Sequence, residues 1–159
     1  MREWGLDREW LTHVVLTHWH PDHVGSAAEL ASWPVYSQIA GTVPDATPSR
    51  VDRELDDNET LDAIGARVLS TPGHTSGSIA LHFPSEDVLF TGDVATEHLG
   101  LVMLGPFNQD RARSRESFRR FADIDVDTVC FGHGQPLRGK DTAKLRAAAS
   151  ASEIPDPLG

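Results

Sequence analysis

Three histidines and an aspartate fall within six residues, in the run Thr17-His18-Trp19-His20-Pro21-Asp22-His23. Imidazole nitrogens and carboxylate oxygens are the donors a divalent cation such as zinc takes. With residues 18–20 extended, His18 and His20 lie on one side of the chain, while a helix opening at Pro21 turns Asp22 and His23 back toward a neighbouring point. One short stretch can thus serve two metal positions. Three more candidate ligands stand beside glycine: His74 in Pro72-Gly73-His74-Thr75, Asp93 in Thr91-Gly92-Asp93 and His133 in Gly132-His133-Gly134. Glycine there lets the backbone turn sharply and approach a metal without a side-chain clash.

These residues need elements that end at them. His13 to Thr17, apolar and β-branched, reads as a buried strand ending at Thr17, preceded by a short helix or turn over 5–11. Pro21 suits a first helical turn and Asp22 the positive end of a helix, so a helix is expected from Pro21 to about Ser32. Residues 34–37 read as a short strand, 41–50 as a turn-rich loop, and the acidic stretch 52–62 as a solvated loop rather than a site. Strands are expected at 66–71, 78–83, 88–92 and 128–132, a loop of mixed apolar character at 94–109, and helices at Asp110–Ala122 and 141–152. Helices at both ends of a β-rich middle place the helices outside the β layers.

Composition sets outer bounds. A length of 159 residues fits one domain, 1–159. With 14 Lys+Arg against 24 Asp+Glu the net charge is −10, the wrong sign for neutralising nucleic-acid phosphates. No apolar run approaches the ~20 residues that span a bilayer, and the acids of MREWGLDREW do not suit a signal peptide, so a cytoplasmic location is expected. The single cysteine, Cys130, excludes an internal disulfide and a Cys-rich zinc finger; in its apolar strand it is expected to be buried and inert. His13 and His82 match no motif, and His82 is expected exposed by strand alternation. The arginines at 111, 113, 115, 119 and 120 read as a solvated helix face answering nearby acids.

In this order, the five signals from residue 17 to 134 resemble the metallo-β-lactamase superfamily of metallohydrolases. The resemblance implies an αβ/βα sandwich of two mixed β-sheets flanked by helices, with a dinuclear site at one edge. It assigns His18, His20 and His74 to one metal, Asp22, His23 and His133 to the other, and Asp93 to the bridge, with Asp22 and Asp93 also orienting the nucleophile. Two divalent ions are implied, zinc first, with iron or manganese as alternatives. The implied activity is cleavage of an ester, lactone or thioester of a small molecule by a hydroxide held between the metals. Two alternatives stand beside it: a non-catalytic metal-binding fragment, and a mononuclear-iron dioxygenase of the persulfide type, against which His23 and His133 count.

Subclass follows from absences. An aspartate at 93 departs from the true β-lactamases, which have Cys or Ser there, and the lack of a tyrosine soon after it departs from the acyl-homoserine lactone lactonases. The extra helical carboxy-terminal domain of glyoxalase II is not seen in the sequence, and charge and size disfavour the nucleases. Members of the superfamily have several strands before the histidine motif, whereas 17 residues precede His18 here. The domain is therefore expected to be shortened at its amino terminus, with a homo-oligomer as one way to cover the first strand. Leu99, Leu101, Val102, Met103, Leu104 and Phe107 are too many apolar residues for a solvated loop. Several are expected to wall a substrate pocket beside Asp93, with Met103, Phe107 and the neighbouring His98 facing the substrate.

Overall fold

Alternation of side chains along short strands sorts the chain into layers. The computed structural model describes residues 10–25, 27–30, 32–38 and 51–157. The first strand, β1 (Val14–Leu16), is followed by helix α1 (Pro21–Val24), β2 (Val35–Ser37) and β3 (Arg53–Glu54). The three strands pair in chain order as a parallel sheet. Val14, Leu16 and Val35 share one face, where they pack with Trp19, Val24 and Ala27 beneath α1. Val15 and Tyr36 point the other way, into a second sheet.

That sheet is built from the rest of the chain. In order come β4 (Thr60–Leu61), β5 (Ala66–Ser70), β6 (Ile79–Phe83), β7 (Val88–Phe90), β8 (Ala95–His98), β9 (Leu101–Leu104), α2 (Arg111–Arg119), β10 (Thr128–Cys130), β11 (Leu137–Arg138) and α3 (Ala143–Ser150). Six of these strands line up as β11-β10-β7-β6-β5-β4, and β8 pairs with β9 as a separate hairpin. Ala66, Val68, Ile79 and Leu81 face the first sheet. On the opposite face Leu69, Ala80, Leu89 and Val129 pack against Phe118, Phe121 and Leu145 from the helical layer and Ala95, Val102 and Leu104 from the hairpin. The result is a sandwich of helix, sheet, sheet and helices, as expected. Among the described residues the three-stranded sheet is parallel throughout, and the six-stranded one is mixed.

Five expectations need correction. The helix from Pro21 to Ser32 is a four-residue α1 followed by a separate 3₁₀ turn at Ala27–Leu30. Gly25, a weak helix former, caps the first. The acidic stretch 52–62 carries β3 and β4, and Asp57 and Glu59 in it bind Arg120 and Arg53. The loop at 94–109 is largely the β8–β9 hairpin. Leu99 and Gly100 form its two-residue turn with φ of 51° and 83°, the left-handed pair that matches strand twist. Cys130 is half-buried rather than buried, and this burial still raises its thiol pKa, keeping it protonated and inert. His82 is likewise half-buried, not exposed. The turn-rich 41–50 and most of 5–11 lie outside the described residues. Among the described residues no helix is long and apolar enough to cross a membrane.

One edge of the larger sheet matters most. β5 and β7 both run antiparallel to β6, and β10 runs parallel to β7, so β5, β7 and β10 share one direction and end at one edge. The amide of Ile79, at the start of β6, donates to the carbonyl of Thr17 at 2.8 Å. That bond fastens the end of β1 to the same edge.

The carboxyl-terminal segment closes the helical side. Leu104 donates its amide to Pro155, and Asp156 accepts from Arg111 Nε at 2.9 Å and Arg115 Nη2 at 2.7 Å, which ties α2 to the chain end. Replacing Asp156 by Ala leaves two half-exposed guanidinium groups without this partner. Urea unfolding is expected to show a loss of about 1–3 kcal/mol, the range for charge-assisted hydrogen bonds.

Candidate metal centre

Each ligand-bearing loop leaves the strand end that its sequence predicts, and local chemistry fixes its turn. After β1, Thr17 Oγ1 lies 3.2 Å from His18 Nδ1 and so orients that ring. His20 is extended (φ −66°, ψ 147°), and Pro21 begins α1 immediately after it, which brings Asp22 and His23 round in the first helical turn. His74 follows β5 across Gly73, whose φ is 131° and where a Cβ would stand 2.2 Å from the Ser114 amide nitrogen. The amides of Gln109 and Asp110 donate to the carbonyls of His74 and Gly73 at 3.2 and 2.9 Å, so the start of α2 holds that loop. Asp93 follows β7 and His133 follows β10, and the amide of Gly132 donates to the carbonyl of Gly92 at 3.1 Å.

These seven side chains converge. His18, His20, His74 and Asp93 form one group and Asp22, His23, Asp93 and His133 a second, with the ligand atoms of each group within 4.8 Å of one another. Asp93 belongs to both. Its Oδ2 lies 3.7 Å from His18 Nε2, 3.6 Å from His74 Nε2 and 3.4 Å from His133 Nε2, while its Oδ1 lies 3.3 Å from His23 Nε2. Within the first group His74 Nε2 lies 2.9 Å from His20 Nδ1, and within the second His133 Nε2 lies 3.0 Å from Asp22 Oδ2.

The two groups differ in exposure. The side chains of His18 and His74 are sealed in, at 0% and 2% exposure, whereas those of Asp22 and His133 are 56% and 55% exposed. Burial, reinforced by the neighbouring His23, lowers the His18 pKa to about 3, and burial likewise lowers that of His74. Both rings are therefore neutral near pH 7 and offer lone pairs. The carboxylate of Asp93 acts oppositely on His23, raising its pKa through their contact. Burial alone would raise the Asp93 carboxyl, but His23, with His18 and His74, outweighs it and holds the group below the usual carboxylate range.

The arrangement fits a cation at each group. His18 Nε2 is buried and has no hydrogen-bond partner among the described residues, a costly state for a polar atom that a metal bond would relieve. Gly132 supplies the second sign. A Cβ built there would stand 1.8 Å from Asp93 Oδ1 and 2.8 Å from His23 Cε1, so this position keeps the space around the shared carboxylate free of side chain. The donors are nitrogen and oxygen alone, suited to zinc, iron or manganese.

Other candidates lie apart from the cluster. The His13 ring lies tilted against Tyr36 with ring centres 5.1 Å apart, and His82 sits in β6 opposite Leu89. His98 is exposed at the end of β8, Met103 is half-buried in β9, and Phe107 is 77% exposed with a φ of 58°. Val102 and Leu104 do not wall a pocket: both are in the main core, because they share the hairpin's inward face with Ala95. Missed by the sequence reading is the hairpin's grip on the His133 loop, where Thr96 Oγ1 donates to the His133 carbonyl at 2.9 Å.

Comparison with known proteins adds an independent line. A family model described as the metallo-beta-lactamase superfamily matches residues 1–133. A hydroxyacylglutathione hydrolase of Cereibacter sphaeroides is 35% identical over 134 residues, 80% of this chain and 50% of that protein. An atrochrysone carboxyl ACP thioesterase of a Cryptosporiopsis species is 33% identical over 102 residues, 58% of this chain and 31% of the relative. The chain thus spans about half the length, or less, of these curated relatives. Among solved structures, TTHA1623 in a di-iron-bound form superposes with a TM-score of 0.66 at 25% identity, covering 90% of this chain and 77% of that one.

Gly132→Ala is expected to push the Asp93 carboxylate out of its place between the groups while leaving the core intact. Elemental analysis of protein loaded with zinc should then show less than half the metal of the unsubstituted chain, with far-ultraviolet circular dichroism unchanged.

Proposed function

The chain belongs to the metallo-β-lactamase superfamily, and from that premise we propose that it is a dinuclear metallohydrolase cleaving a thioester, ester or lactone of a small molecule. The observation that carries the reading is the sharing of Asp93 between two complete ligand groups. His18, His20 and His74 would hold one divalent ion, Asp22, His23 and His133 the other, and Asp93 both. Zinc is the first choice for both ions. Iron stays beside it, since TTHA1623 has a di-iron-bound form, and manganese suits the same donors. Bound there, the ions would polarise a substrate carbonyl and lower the pKa of water toward neutrality.

The chain's own residues do the rest. Asp93 takes no proton near pH 7, because its histidine neighbours favour the charged carboxylate, and it can therefore accept hydrogen bonds and orient a nucleophile on the open side. Asp22 and His133 stand at that side, where substrate must arrive. The buried His18 and His74 keep water from the inner side. A mononuclear dioxygenase would have no use for the complete second group, so the geometry favours the hydrolase. Two relatives, a hydroxyacylglutathione hydrolase and a thioesterase, support an acyl substrate and put the thioester first.

On the outer face of the hairpin, His98 and Met103 share the side of Thr96, which touches the His133 loop, and Phe107 lies two residues from the Gln109 amide that holds His74. We assign these three to the substrate's acyl side. Among the described residues β1 is the edge of its sheet, and pairing along that edge with a second copy is the proposed mode of association.

The test is turnover by the zinc-loaded chain across simple acyl thioesters, esters and lactones. Turnover that vanishes with a chelator, returns with metal and drops at least about 100-fold in Asp93→Asn supports the hydrolase. Two bound ions without turnover on any of the three would instead make the chain a metal-binding module. In the same assay Met103→Ala and Phe107→Ala are expected to change selectivity among acyl chain lengths at unchanged metal content. A change in melting temperature alone would place both residues in packing.

A further inference from the structure

His133 stands on a loop with little of its own to hold it, flanked by Gly132 and Gly134 and more than half exposed. The β8–β9 hairpin supplies what the loop lacks. The Thr96 hydroxyl and the Glu97 amide both donate to the His133 carbonyl, at 2.9 and 3.4 Å. The Glu97 carboxylate then reaches past it: Oε2 accepts the Gln135 amide at 2.8 Å, and Oε1 accepts the Gly100 amide of the hairpin turn at 2.5 Å. Gly134, with φ of 108°, lies so close that a Cβ would stand 2.2 Å from the Glu97 carbonyl oxygen.

Glu97 is also in an unexpected place. Inward positions of this hairpin hold Ala95, Val102 and Leu104, all core residues, and Glu97 shares their face with only 9% of its surface exposed. A carboxylate there is costly unless hydrogen-bonded, and an apolar residue would satisfy the core more simply. Its two backbone bonds join the hairpin to the loop of His133 and to no other part of the centre. A local rule broken in this way, next to a functional residue, calls for a role.

We propose that Glu97 is a positioning residue for the outer cation site. By gripping the Gly100 and Gln135 amides together, its carboxylate fixes the His133 loop so that the imidazole already faces Asp22 and Asp93 before an ion arrives. The inference rests on the two-ion reading above. It adds that outer-site affinity depends on a side chain that is not itself a ligand, as outer contacts commonly do for metal-binding histidines. The His18 and His74 loops of the inner group are held instead by Thr17 and by the start of α2.

The experiment is calorimetric titration of the metal-free full chain with zinc, with thermal melts of each protein alongside. The unsubstituted chain should take two ions. In Glu97→Ala the affinity for one ion should fall about 10- to 100-fold, while the other stays within about twofold. Glu97→Gln keeps one acceptor oxygen and turns an NH₂ toward the second amide, so it should fall between the two; Thr96→Val should weaken the same single site. The two milder variants keep the test decisive if Glu97→Ala does not fold. Two ions bound by the Glu97 variants with unchanged affinities would overturn the role of Glu97 and leave the two-ion reading standing. Equal weakening of both ions together with a lowered melt would also overturn it, by making Glu97 a general structural residue. Fewer than two ions on the unsubstituted chain would overturn the two-ion reading itself, and this inference with it.

Discussion

Five imidazoles and two carboxylates cannot be gathered around one point without a strong opposing force, and the rest of this structure answers that problem. Water is excluded from the inner rings, so His18 and His74 remain uncharged, and His18 Nε2 and His74 Nδ1 are buried with no hydrogen-bond partner among the described residues. The arrangement survives because it is imposed from outside. The sheet edge fixes where four loops begin, the Thr17–Ile79 bond pins the first of them to the larger sheet, and the start of α2 clamps the second. Side-chain attraction contributes where Asp93 meets His23 and where Asp22 meets His133.

The same constraint explains where glycine is indispensable. Gly73 and Gly132 leave room that any side chain would take, the first from the backbone of α2 and the second from the shared carboxylate. Both flank a histidine, and the contrast is instructive: one lets the scaffold approach the loop, the other lets the ligands approach each other. A search for ligand types alone would pass over these positions, although the centre depends on them as closely as on its histidines.

Most of the architecture was legible because the strands are short, apolar and bounded by turns: β1, β2, β5, β6, β7 and β10 lie where the sequence puts them, within one or two residues. The seven side chains that meet at the edge were nameable because each follows such a strand. Two things were not legible. The continuous helix expected after Pro21 ends beyond Gly25, a weak helix former, and a separate turn follows at Ala27–Leu30. The β8–β9 hairpin was hidden by its own chemistry: the inward Glu97 interrupts an apolar alternation that Ala95, Val102 and Leu104 would otherwise display, and Leu99 occupies a turn conformation usually left to glycine or asparagine. A pattern reader fails at a polar residue in a core position, which is where function most often resides.

The unequal exposure of the two ligand groups carries a consequence in time rather than in space. An ion seated among His18, His20 and His74 could leave only if the loops around it opened, whereas one beside Asp22 and His133 faces the medium directly. Exchange would therefore run at two rates, slow inside and fast outside. With metal scarce, the outer position would empty first. With several metals present, it would sample whichever is most abundant, so mixed pairs would form with the inner ion as a record of what was available when the chain folded.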